Sequence, residues 1–113
     1  LDEISIFGQT TVAEFYQDRG FNVSTLTSGD LPIAPAKLTD LAGGTQDENA
    51  EPVRSVLKGE ERGPQRHAVL LNSAAALFVG ERVGSIAEGW DVAEELIDSG
   101  KVCGKFSKLT GQA

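Results

Sequence analysis

The chain has 113 residues, enough for one domain or part of one. Hydrophobic residues make up 40% and charged residues 24%, a balance that folds and argues against disorder, and with aromatics at 6% any core is aliphatic. A net charge of -7 with ten scattered basic residues is a poor match for nucleic acid or an anionic membrane, and no apolar run approaches the ~18 residues that span a bilayer.

The chain opens at Leu1-Asp2-Glu3-Ile4, an acidic pair against an apolar run, and it contains no methionine. That opening reads as the continuation of a longer polypeptide, of which these residues are expected to be the C-terminal piece. Adjacent carboxylates in an extended chain point to opposite sides, so Asp2 and Glu3 can address two cations, or one cation and its water shell. Hard oxygen donors of this kind suit Mg²⁺. An acidic dipeptide on its own is usually only solvated.

Ile4, Ile6 and Phe7 form a short apolar stretch closed by Gly8. Two β-type runs follow, Thr10 to Tyr16 and Phe21 to Leu26, around a turn at Gln17-Asp18-Arg19-Gly20, where Gly20 suits a positive φ. The pattern predicts an antiparallel hairpin. Thr27 to Ala36 reads as loop because Pro32 and Pro35 remove backbone donors. Lys37 to Leu41 predicts a short helical turn ended by Gly43-Gly44.

Thr45-Gln46-Asp47-Glu48 fits a capping box, and Ala50, Val53, Val56 and Leu57 then recur at helical spacing. Pro52 falls within this stretch and deletes one backbone bond, so the expectation is a helix bent there. Pro64 starts the next helix, which runs to about Val79 and is apolar around more than one face. Such a helix is expected to be buried on most sides. Ser85-Ile86-Ala87-Glu88 is a second capping box, opening a helix with Ile86, Trp90, Ala93 and Ile97 on one face and Gly100 past its end. A last helix runs from Lys101 to about Leu109, with Val102, Phe106 and Leu109 on one face. A lone two-stranded ribbon is marginal in water, so the hairpin is expected to need further strands.

Few side chains suggest chemistry. Cys103 is single, cannot close an internal disulfide, and reads as a small half-apolar helix residue. His67, the one histidine, has no oriented partner at helical spacing and reads as a boundary residue near a helix start. Asn72 and Ser73 interrupt the apolar helix. A buried amide there must be hydrogen-bonded, either to backbone within the fold or to a loop held near a site. Gly43-Gly44 lacks any phosphate-loop pattern and reads as plain loop.

Four stretches, taken in order, resemble one family. They are Leu1 to Ser5 with Thr10 to Glu14, Leu38 to Gly44 with Glu48-Asn49-Ala50, Val56 to Glu60 with Gly63-Pro64 and Ala68 to Leu77, and Ala93 to Lys101. The chain looks like the C-terminal third of the anthranilate phosphoribosyltransferases, over Leu1 to about Lys108. The resemblance implies an α/β fold (α+β within these residues): residues 1–113 as the C-terminal part of the large catalytic domain, with the hairpin at the edge of a mixed sheet followed by about four helices. It implies transfer of the phosphoribosyl group of phosphoribosyl pyrophosphate (PRPP) to anthranilate in tryptophan biosynthesis, with Asp2 and Glu3 in the position of the family's Mg²⁺-binding pair. It further implies a homodimeric parent in the cytoplasm, or in a plastid if the source is a plant, with no nucleic-acid or membrane partner.

The family's glycine-rich PRPP loop, its Lys-His-Gly-Asn stretch, its anthranilate contacts and its helical dimerising domain have no counterpart here. Residues 1–113 alone are therefore expected to have no transferase activity. Pro52 stands at a typically aliphatic helix position, and Ser28-Gly29 shortens the loop after the hairpin. Two other readings remain open: a non-catalytic nucleic-acid-binding paralogue, disfavoured by the charge, and an unrelated helical interaction module.

Overall fold

The computed structural model describes residues 3–33 and 36–111. In chain order these form β1 (Thr10–Tyr16), β2 (Gly20–Leu26), two 3-10 turns (Ser28–Asp30 and Leu38–Leu41), α1 (Gln46–Leu57), α2 (Pro64–Val79), α3 (Ile86–Asp98) and α4 (Lys101–Thr110). The fold is a two-stranded antiparallel sheet followed by four α-helices.

The hairpin pairs Thr10 with Leu26 through to Tyr16 with Gly20. The three residues between the strands lead into Gly20, whose φ of +78 lies in the left-handed region that favours glycine. Residues opposite one another share a face. Thr11, Ala13 and Phe15 thus lie with Thr25, Val23 and Phe21 on one side of the ribbon. All six are exposed, Phe15 at 76% and Phe21 at 66%. The ribbon forms without a third strand among the described residues, and its apolar face stays open.

The core lies between α2 and α3. Leu70, Leu71 and Ala74 pack against Trp90, Ala93 and Ile97, with Ile6 of the opening segment beside them. Gly89 sets the closeness of the crossing. A Cβ there would stand 2.6 Å from the Ala74 carbonyl oxygen and 2.9 Å from its Cα. One guanidinium is buried at this interface: Arg66 makes a two-pronged pair with Asp98 at 3.0 and 3.1 Å, and Glu94 lies 3.7 Å away. The planar fork of arginine matches a carboxylate in this way, which lets the charge leave water.

The helix boundaries follow the chemistry expected of them. Thr45 and Ser85 each accept a hydrogen bond from the backbone N–H three residues on, at 3.2 and 3.1 Å. Pro64 begins α2, and Gly100, at φ +84, links α3 to α4. One expectation holds and one needs revision. α1 runs from Gln46 with Pro52 inside it, as expected from the Thr45 cap. The bond lost is that of the Glu48 carbonyl, which belongs to an exposed residue in the first turn, where water can replace it. α2 is not buried on most sides. Leu70, Leu71 and Ala74 are buried, while Val69 is 38% and Val79 80% exposed. Val69 opens onto a concavity that α2 shares with α1. No helix among them is long and apolar enough to cross a membrane.

Candidate functional site

Asp2 lies outside the described residues, so of the acidic pair the structure places Glu3. Glu3 is exposed and sits on the wall of a concavity of about 610 Å³. Ile6 and Phe7 continue that wall. Leu41 comes from the second 3-10 turn and Ala42 from just past it, Val53 and Val56 from α1, and Ala68 and Val69 from α2. The polar groups among the lining are Glu3, Ser5, Asn49, Gln65 and Asn72.

Two asparagines fix the backbone on this concavity. The Asn72 amide oxygen accepts the Ile4 N–H at 2.8 Å, and its nitrogen donates to the Ile4 carbonyl at 3.1 Å. The same nitrogen donates to the Ala68 carbonyl at 2.9 Å, one helical turn back. Asn49 does likewise for Gly44, accepting its N–H at 2.8 Å and donating to its carbonyl at 3.2 Å. Each side chain thus satisfies both main-chain groups of one residue, which a segment outside a sheet must otherwise leave to water. Both readings of Asn72 are present together: it bonds within its helix and holds a loop. The part of Asn49 was not evident beforehand. Its only signal was an asparagine five residues after a glycine pair.

Glu3 meets one requirement for Mg²⁺ and leaves another to the ligand. Its carboxylate is a hard oxygen donor and is open to a cation. Among the described residues no three His, Cys, Asp or Glu side chains gather into a cage. Mg²⁺ characteristically takes one or two carboxylates and completes its shell with waters and substrate phosphates, so this donor set fits it better than it fits a metal requiring several protein ligands.

The remaining candidates lie elsewhere. His67 is half-buried, with its ring centre 5.7 Å from that of Trp90. Burial lowers its pKa and the neighbouring Arg66 charge adds to that, against the pull of Glu61 and Glu94. Its Nδ1 has no hydrogen-bond partner among the described residues, consistent with a boundary residue and not with an oriented acid or base. Cys103 is half-buried and free on α4. Gly43-Gly44 is loop, held by Asn49.

Residues 1–103 match the family described as "Glycosyl transferase family, a/b domain". The chain is 44% identical over 109 residues to the anthranilate phosphoribosyltransferase of Methanosarcina acetivorans, covering 96% of this chain and 29% of that protein. With the Staphylococcus carnosus anthranilate phosphoribosyltransferase the identity is 36% over 112 residues, 99% of this chain and 33% of the relative. The crystal structure of anthranilate phosphoribosyltransferase from Thermus thermophilus matches 87% of this chain with a TM-score of 0.74 and 34% identity, again over 29% of that protein. The chain spans about a third or less of the length of these relatives. Hairpin, helices and sequence agree in one conclusion: the chain belongs to the glycosyl transferase family, within its a/b domain, and is similar there to the anthranilate phosphoribosyltransferases.

Proposed function

We propose that this chain works as the C-terminal part of the large α/β domain of an anthranilate phosphoribosyltransferase, moving the phosphoribosyl group of PRPP to the anthranilate amine. The residues that grip both substrates, and the helical domain that pairs two copies, belong to the remainder of the enzyme. Residues 1–113 contribute scaffold and the Asp2-Glu3 carboxylates. Glu3, with Asp2 beside it, would hold the Mg²⁺ that accompanies PRPP, and that ion supplies charge neutralisation for the departing pyrophosphate. The opening segment presents the carboxylate, the Ile4 and Ile6 side chains anchor that segment to the helices, and the apolar wall keeps the surroundings poor in competing ligands.

The observation that carries this reading is the position of Glu3. It lines a concave surface, and the backbone of the next residue, Ile4, is held by Asn72 of the central helix, an arrangement that supports a site more than a merely solvated acid. The test is Glu3→Ala in the full-length enzyme, assayed with PRPP and anthranilate across a Mg²⁺ titration. Mg²⁺-dependent turnover is expected to fall about a hundredfold, the scale for losing one group that stabilises developing charge. Unchanged Mg²⁺-dependent turnover would remove Glu3 from the metal site.

A further inference from the structure

We propose that Asn72 is the positioning residue for Glu3, setting the direction in which it presents its carboxylate. The inference rests on the metal reading given above.

Ile4 and Ile6 hold the opening segment against the helices, Ile6 buried and Ile4 partly so. Apolar contact of this kind is non-directional. It fixes how close the segment lies and leaves it free to turn about its own axis. A turn of the segment would swing Glu3 away from the concavity while Ile6 stayed in place. The Asn72 amide removes that freedom. It engages the N–H and the carbonyl of Ile4 at once, at 2.8 and 3.1 Å, so the peptide groups flanking Ile4 keep one orientation. Glu3 is the residue immediately before.

The amide is itself held. Its bond to the Ala68 carbonyl at 2.9 Å ties the side chain to α2, whose neighbouring Leu70, Leu71 and Ala74 are buried. The chain of support runs from the α2–α3 core through Asn72 to the Ile4 backbone and so to Glu3. Outer partners that orient a metal's ligands are a general feature of such sites, and their loss weakens metal binding about 10–100-fold. Asn72 acts on the backbone next to the ligand, so its effect belongs at the lower end of that range.

The experiment measures Mn²⁺ binding to the full-length enzyme in the presence of PRPP, by the electron paramagnetic resonance signal of free Mn²⁺. Amide hydrogen exchange at Ile4 is followed alongside. Asn72→Leu keeps the size and deletes all three bonds. Asn72→Asp keeps the acceptor for the Ile4 N–H and loses the donors. Glu3→Gln and Ser73→Ala run in parallel. The expected result is an about tenfold weaker Mn²⁺ affinity in Asn72→Leu, a smaller loss in Asn72→Asp, faster Ile4 exchange in both, and no change in Ser73→Ala. If the Leu variant does not fold, the Asp variant decides by the same criteria. Wild-type Mn²⁺ affinity in the Asn72 variants, with only a lower melting temperature, would make the amide structural and overturn the proposal. Wild-type affinity in Glu3→Gln would instead remove the metal reading, and this inference with it.

Discussion

Arg66 is the residue in which burial and charge conflict most openly. It is 2% exposed, and its guanidinium is tolerated because Asp98 meets it with two oxygens. The Arg66 bond, followed by that of Arg62, outweighs desolvation and holds the Asp98 carboxyl below its ordinary pKa. The same arginine also lowers the imidazole pKa of His67, where burial comes first and the adjacent positive charge second. The signs of the two contributions to stability follow. Asp98 stabilises above its unfolded value of 3.8, and the benefit disappears as pH falls through its lower folded value. His67 titrates below 6.5 in the fold, so as pH falls past 6.5 the unfolded chain takes up its proton first and stability declines until the folded ring is protonated as well. Urea midpoints for the full-length protein should therefore drop as pH falls below 6.5, and His67→Leu should flatten that drop. Parallel profiles for the two proteins would show that the ring carries no such coupling. Little of this was legible in the sequence. His67 could be placed at a helix start, but Arg66, Glu94 and Asp98 meet only because α2 and α3 pack side by side.

At the scale of elements, small residues set how the helices meet. Ala74 and Gly89 lie where α2 and α3 come closest, and a methyl group at position 89 would press on the Ala74 backbone instead of a movable side chain. Gly89→Ala should gain about 1 kcal/mol in helix propensity and lose about 3 kcal/mol to overpacking, for a net loss of roughly 2 kcal/mol in chemical denaturation. A neutral or stabilised variant would show that the crossing can widen without cost. The elements themselves could be read from local signals that act within a few residues: Thr45 and Ser85 as caps, Pro64 at a first helical position, Gly20 and Gly100 in left-handed turns. What could not be read was which apolar faces find partners. α2 is apolar enough to be covered more fully than it is, and the hairpin places Phe15 opposite Phe21 with both in the open. Periodicity reports that a face is apolar, and it does not report whether the covering surface lies within the same residues. The Asn72 clamp was half legible, since a buried amide demanded partners that composition could not name.

The whole molecule is expanded for its length. Its radius of gyration is 15.2 Å, against about 13 Å for a compact domain of this size. The ribbon leaves Phe15 and Phe21 exposed, and the concavity beside Glu3 opens next to the small α2–α3 core. The chain spans about a third or less of the length of the relatives it matches. The most direct test replaces the matching residues of the Methanosarcina acetivorans enzyme with this chain and measures formation of phosphoribosyl anthranilate from PRPP and anthranilate. A folded chimera should turn over in the presence of Mg²⁺, while residues 1–113 alone show no activity. A folded chimera without turnover, or full activity from residues 1–113 alone, would contradict the account.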